Sequence, residues 1–270
     1  MTALDCIARD TRALICEKLD AIEREHDVRL LFAVESGSRA WGFPSPDSDY
    51  DVRFVYMRRP AWYLSVQARR DVIELPIEGD LDINGWDLKK ALQLLIKPNP
   101  VLLEWLRSPI VYRADGEAMV KLADLALRTA HQRPSAYHYL HLCRTQYARF
   151  IAGKQVVKLK KYFYVLRPAL ALMWLRAHPQ RPLPMNLSEL RAGLDLAPAL
   201  DGLLDALLAR KASTRELGEG PRLPEVDRLI EAEIAATEQV LLEIASPPPD
   251  LQEAADRLFR EMVLEDRACS

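Results

Sequence analysis

Apolar residues recur at helical spacing near the start of the chain, at Leu4, Ile7, Ala8, Leu14, Ile15, Leu19 and Ile22, and predict an amphipathic helix over Ala3 to Arg24. Val28 to Val34 is a continuous apolar segment running into Glu35-Ser36-Gly37-Ser38, the pattern of a buried strand that ends in a small-residue turn. Pro44-Ser45-Pro46-Asp47-Ser48 is a loop by composition, and Tyr50 to Tyr56 reads as the next strand. Val72 to Ile77 and Leu81 to Trp86 flank Glu78-Gly79-Asp80 as a hairpin, which gives a sheet of about four strands. Asp87 suits the cap of a helix from Leu88 to Ile96 that stops before Pro98-Asn99-Pro100. A short helix around Leu102 to Leu106 and an extended Pro109 to Tyr112 complete this half.

Strand patterns then cease. Helical periodicity covers Glu117 to Ala130, Ser135 to Ala152, Val156 to Arg176, Leu187 to Leu194, Pro198 to Leu208 and Pro224 to Ala245. Pro247-Pro248-Pro249 interrupts before a last helix at Leu251 to Leu264. The expected class is α+β: a domain over residues 1–115 with a small mixed sheet and helices, an all-helical domain over 116–245, and a C-terminal helix over 250–268 after a proline-rich linker.

With 270 residues, 49% of them hydrophobic and 28% charged, the chain has the means to bury a core and is not of a disordered or low-complexity class. No apolar run approaches the roughly 20 residues of a membrane span, and the first ten residues carry acids where a signal sequence would be basic, so neither membrane insertion nor secretion is expected. Cys6, Cys16, Cys143 and Cys269 are far apart, without a C-x-x-C pair, which suits a reducing cytoplasm.

The net charge of −2 hides an asymmetry. Residues 1–124 hold 17 basic and 21 acidic side chains, residues 125–188 hold 11 basic and none acidic, and residues 189–270 hold 9 basic and 18 acidic. A long stretch without a carboxylate points to a surface that meets phosphate. Pairing of this basic block with the acidic C-terminal third is the bland alternative.

The chemistry concentrates in Gly37-Ser38-Arg39-Ala40-Trp41-Gly42 and in Asp47-Ser48-Asp49-Tyr50-Asp51-Val52-Arg53-Phe54. Asp49 and Asp51 are two apart at the start of a strand, so both carboxylates project from one face. Like charges that close raise one another's pKa unless a divalent cation holds both ionised, and Mg²⁺ does this while recruiting substrate phosphates. Two such ions would clamp the attacking and leaving oxygens of a phosphoryl displacement. A third carboxylate is required; Asp82, flanked by Leu81 and Ile83, is placed ahead of Asp87, whose position suits an N-cap. Gly37 and Ser38 offer backbone N–H groups and a hydroxyl to a phosphate. Arg39 either reaches the same phosphates or pairs with Asp47 or Glu35.

This Gly-Ser followed by Asp-x-Asp resembles the signature of the DNA polymerase β-like nucleotidyltransferase superfamily. The fuller string, with Asp82-Ile83-Asn84-Gly85-Trp86-Asp87, Asn99-Pro100, Glu104-Trp105-Leu106 and Ser108-Pro109-Ile110-Val111-Tyr112, is similar to its branch of predicted nucleotidyltransferases associated with RNA ligases and assigned to RNA repair. The likeness covers about residues 30–175. It implies that Asp49, Asp51 and Asp82 bind Mg²⁺ and that Gly37 and Ser38 hold the triphosphate of a bound NTP; Arg39 and Ser48 are further nucleotide-binding candidates, and two Mg²⁺ ions are expected. The implied reaction is attack of a hydroxyl on the α-phosphate with release of pyrophosphate, at a site that works by positioning and charge neutralisation.

In the helical half, Lys160 and Arg167 flank an apolar stripe of Val156, Leu159, Phe163, Leu166 and Leu170 and are candidates for phosphate contact, whereas Lys158 and Lys161 read as solvated. His138, His141 and Cys143 lie close in sequence, but without a partner cluster elsewhere they read as packing. The expected function is Mg²⁺-dependent transfer of NMP from an NTP to an RNA end bound through the basic segment 125–188. The alternatives are transfer of AMP to a protein hydroxyl, as in antitoxin-like nucleotidyltransferases, and a sensor that holds NTP or RNA without turnover.

Overall fold

The computed structural model describes residues 7–97, 99–129, 132–214, 217–240 and 250–265. The chain forms two compact units, one from Met1–Ala40, Asp49–Ala130 and Pro247–Ser270, the other from Trp41–Ser48 and His131–Ser246. The first unit therefore runs past residue 115 and takes in the C-terminal segment, so the three-part division expected from the sequence becomes two interleaved parts.

The first unit is built on a five-stranded sheet of order β3-β4-β2-β1-β5, with β1 at Val28–Glu35, β2 at Tyr50–Arg58, β3 at Val72–Glu74, β4 at Leu81–Asp87 and β5 at Val111–Ala114. β2 and β4 run parallel and the other pairs are antiparallel. Each face of the sheet is covered. Ile15, Leu19 and Ile22 of α1 (Arg9–His26) pack with Val52, Phe54 and Ile83 on one side. On the other side Val55 and Met57 meet α4 (Leu88–Ile96), α5 (Pro100–Trp105), α6 (Gly116–Leu127) and α12 (Leu251–Glu265). Two helices of a single turn, α2 (Gly37–Ala40) and α3 (Pro60–Tyr63), follow β1 and β2. Burial on both faces explains why β1 reads as an unbroken apolar run, and the alternation along β4 follows from one face meeting core and the other a half-exposed edge.

The second unit packs α7 (Gln132–Phe150), α8 (Lys160–Ala177), α9 (Leu187–Ala192), α10 (Pro198–Ser213) and α11 (Pro224–Val240) about Tyr139, Tyr162, Phe163 and Leu170. It is not wholly helical. Val156–Lys158, expected as the first turn of a helix, is β6, paired antiparallel with β7 (Glu219–Pro221), and α8 begins only at Lys160. The β-branched Val156-Val157 pair favours the extended backbone once a partner strand is present. Residues 3–6 of the opening helix, Pro98, Ala130, residues 241–245 and Pro247-Pro248-Pro249 lie outside the described residues, as do Cys6, Cys269 and the last residues of 250–268. Among the described residues no helix is long and apolar enough to cross a membrane.

Candidate active site

Parallel pairing of β2 with β4 places Asp51 directly beside Asp82, and the strand period puts both side chains on one face of the sheet. Asp49 precedes β2 by one residue, and its charge, like that of Asp82, acts on Asp51. Burial is the largest influence on the Asp51 carboxyl and raises its pKa; Arg53 lowers it, and Asp82 and Asp49 raise it further. Arg53 bridges the pair. Its Nη2 lies 3.1 Å from Asp51 Oδ1 and 2.6 Å from Asp82 Oδ2, and its Nη1 donates to the Asp82 carbonyl at 2.8 Å. A cation thus already stands between two of the three carboxylates.

β1 delivers the turn. Gly37 adopts φ +61°, and a Cβ placed on it would lie 2.0 Å from Asp51 Oδ2, so no other residue fits there without displacing that carboxylate. Ser36 N–H donates to the Asp51 carbonyl at 2.8 Å, and Asp51 N–H donates to Glu35 Oε1 at 2.9 Å, which stitches the end of β1 to the start of β2. Glu35 is fully buried, and burial pushes its carboxyl up to about 7, against the hydrogen bonds from Tyr112 and the Asp51 amide. Tyr112 O–H donates to Glu35 Oε2, and Ser108 Oγ donates to the Glu35 carbonyl at 2.6 Å. Arg39 stacks over Tyr50 at 3.9 Å and donates from Nε to the Asp49 carbonyl at 3.1 Å. Its charge also acts on Glu35 and Asp51.

The first unit therefore brings together Gly37, Ser38, Arg39, Asp49, Asp51 and Asp82. Asp87, the rival third carboxylate, is otherwise engaged: Oδ1 accepts from Lys89 N–H at 2.8 Å as the N-cap of α4, and Oδ2 accepts from Tyr63 O–H at 3.0 Å. Ser48, Lys160 and Arg167 belong to the second unit. Ser48 closes a turn, its Oγ accepting from Ser45 N–H at 2.8 Å. Lys160 opens α8 and is half-buried. Arg167 is buried, reaching the Met185 carbonyl at 3.2 Å and lying 4.6 Å from the Trp41 ring centre. Glu35, Arg53, Tyr112 and Ser108 are the site residues to which the sequence assigned no role of this kind. Only Arg53 carried a usable signal, the two-residue period that sets it on the face of Asp51.

Asp49, Asp51 and Asp82 supply hard oxygen donors of the kind Mg²⁺ takes, and the guanidinium between Asp51 and Asp82 shows that the position attracts a cation. Among the described residues no three His, Cys, Asp or Glu side chains form a ready-made ligand set; Asp49, Asp51 and Asp82 are the residues that would hold such an ion. Cys143 is buried with its thiol directed at the Val165 carbonyl, and His138 meets the Tyr139 ring edge-on.

The uncharacterized protein YcgL of Bacillus subtilis (strain 168) is 42% identical over 251 residues, which are 93% of this chain and 96% of that protein. A nucleotidyltransferase-like protein from Exiguobacterium sibiricum 255-15, known from a crystal structure, aligns at 12% identity over 91% of this chain and 78% of its own, with a TM-score of 0.29. A family model described as RNA repair pathway DNA polymerase beta family matches residues 11–261. Spanning nearly the whole chain, that match shows that the chain belongs to the RNA repair pathway DNA polymerase beta family, of polymerase β-like nucleotidyltransferases.

Proposed function

We propose that the chain is a Mg²⁺-dependent nucleotidyltransferase that moves NMP from an NTP to a hydroxyl at an RNA end and releases pyrophosphate. The observation that carries this reading is the register of Asp51 opposite Asp82, with Gly37 held against the Asp51 carboxylate. Asp49, Asp51 and Asp82 would hold Mg²⁺, which supplies neutralisation of phosphate charge when bound. Gly37 and Ser38 present N–H groups and a hydroxyl to the triphosphate, and Arg39 adds a cation fixed by its stack on Tyr50. The acceptor oxygen forms its bond to the α-phosphorus as the bond to the bridging oxygen of the β-phosphate breaks, and Asp82 takes the hydroxyl proton in this reading. Pyrophosphate carries away the electron pair. Glu35 touches no reacting atom in this scheme; it fixes the backbone of Asp51.

The test supplies Mg²⁺ and each α-labelled NTP in turn to the wild-type chain and to an Asp49→Ala/Asp51→Ala variant, with small RNA and cellular protein as acceptors. Label in RNA that depends on the aspartates is the expected result. Label in protein alone would replace the reading by protein modification, and NTP binding without transfer to either acceptor would replace it by a sensor.

A further inference from the structure

Internal contacts account for much of the acid-free block. Arg128 pairs with Asp250 at 2.6 Å, Arg144 with Glu238 at 2.6 Å and Arg176 with Glu233 at 2.5 Å, so the basic block does meet acidic C-terminal residues at these points. Arg167 is held by the Met185 carbonyl, and Arg181 lies over Trp174. Four of the remaining cations gather at the end of α7, in the connection to β6, in β6 itself and at the start of α8. Arg149, Lys154 and Lys161 surround the ring of Phe150, at 5.0, 5.9 and 4.4 Å from its centre, and Lys161 also lies 4.9 Å from the ring centre of Tyr164. Lys154 is braced by donating to the Arg149 carbonyl at 2.8 Å.

Among the described residues none of Arg149, Lys154, Lys158 and Lys161 makes an ion pair with a carboxylate; Glu219, across the ribbon from Lys158, forms none with it. Burial and then the charges of Lys160, Arg149 and Lys158 hold the Lys161 amine below its usual range, as expected of cations crowded without an anion. Such crowding costs stability and is relieved when an anion binds. Cations set against aromatic rings are also partly immobilised beforehand. Tyr164 is 46% exposed, which leaves its ring free to meet a base.

We propose that Arg149, Lys154 and Lys161, set around Phe150, together with Lys158 on β6, bind the phosphate backbone of single-stranded RNA, with Tyr164 as a stacking face for one base. The inference rests on the RNA-acceptor reading and names where that strand is held. Interleaved cations and rings favour RNA over an acidic peptide, which has no use for the stacking face.

The test is fluorescence anisotropy of a labelled single-stranded RNA oligonucleotide across a series of salt concentrations, for the wild type, Arg149→Ala/Lys154→Ala/Lys161→Ala and Tyr164→Ala, with thermal melts to verify folding. The triple variant is expected to lower the slope of log affinity against log salt by about 2 and to weaken binding on the order of 100-fold near 0.1 M salt. Tyr164→Ala is expected to weaken binding about tenfold with the slope unchanged, and Lys161→Arg to keep the wild-type slope. Equal slopes for the wild type and the triple variant would overturn the proposal and leave the RNA-acceptor reading standing. Competition by polyglutamate as effective as by RNA of equal charge would also overturn it. Patch-dependent RNA binding without label transfer to RNA would uphold the patch while the acceptor reading failed.

Discussion

Gly37→Ala tests the closest contact in the site. The added Cβ would lie 2.0 Å from Asp51 Oδ2 and 2.8 Å from its Cγ, where ordinary contacts begin at 3.4 Å, so the carboxylate must turn away and give up its bridge to Arg53. The backbone at φ +61° adds about 1–2 kcal/mol for any residue with a Cβ. Losing a hydrogen bond between charged, half-buried groups adds about 1.5–3 kcal/mol. The expected loss is thus about 2.5–5 kcal/mol, or some 5–20 °C of melting temperature for a unit of this size. A double-mutant cycle with Asp51→Ala separates the two parts, because removing the carboxylate leaves only the Asp51 Cβ at 3.3 Å and the backbone strain. Thermal and urea unfolding of the four proteins should give a coupling of at least about 1 kcal/mol between the sites. Additivity within about 0.5 kcal/mol would refute the claim that the glycine is required by the Asp51 carboxylate.

Three further outcomes follow from other parts of the structure. Asp87→Ala should cost about 1–3 kcal/mol by removing the α4 cap and stranding the Tyr63 hydroxyl while Mg²⁺ still raises the melting temperature, whereas Asp82→Ala should abolish the Mg²⁺ shift at smaller cost. The reverse pattern in differential scanning fluorimetry would make Asp87 the third carboxylate. Arg53→Ala should destabilise the metal-free chain and enlarge its stabilisation by Mg²⁺, since the metal then displaces no guanidinium; an equal Mg²⁺ shift in variant and wild type would show that Arg53 does not compete. Burial pushes the Cys143 thiol up to about 12, so at pH 8 it should resist iodoacetamide in the native chain and react only on unfolding, read by mass spectrometry; rapid native labelling would contradict its burial.

The sheet and the acidic site were legible wherever the information is local. β1, covered on both faces, reads as an apolar run, and the alternation of β4 reads Asp82 onto the half-exposed face, where the register sets it opposite Asp51. What escaped the sequence depends on partners far along the chain. β6 is three residues long and exists because β7 pairs with it more than sixty residues later, while its valines fit a helical stripe equally well. The burial of Glu35 depends on Tyr112 and Ser108, 77 and 73 residues away, which nothing at the end of β1 announces. α6 and α12 are amphipathic and would suit any core; only the packing of Leu122, Leu125, Ala254 and Met262 on the sheet joins them to the first unit. The internal pairs of Arg144 and Arg176 with α11 were likewise invisible to charge counting, which shows that a basic block must be read net of its own chain.

The most direct test of the central claim is pyrophosphate release measured with Mg²⁺, NTP and RNA, together with the count of nucleotides gained by the RNA. The account predicts one pyrophosphate for each nucleotide added, with both signals lost in Asp49→Ala/Asp51→Ala. Pyrophosphate formed equally without RNA, or transfer that survives loss of both aspartates, would contradict it.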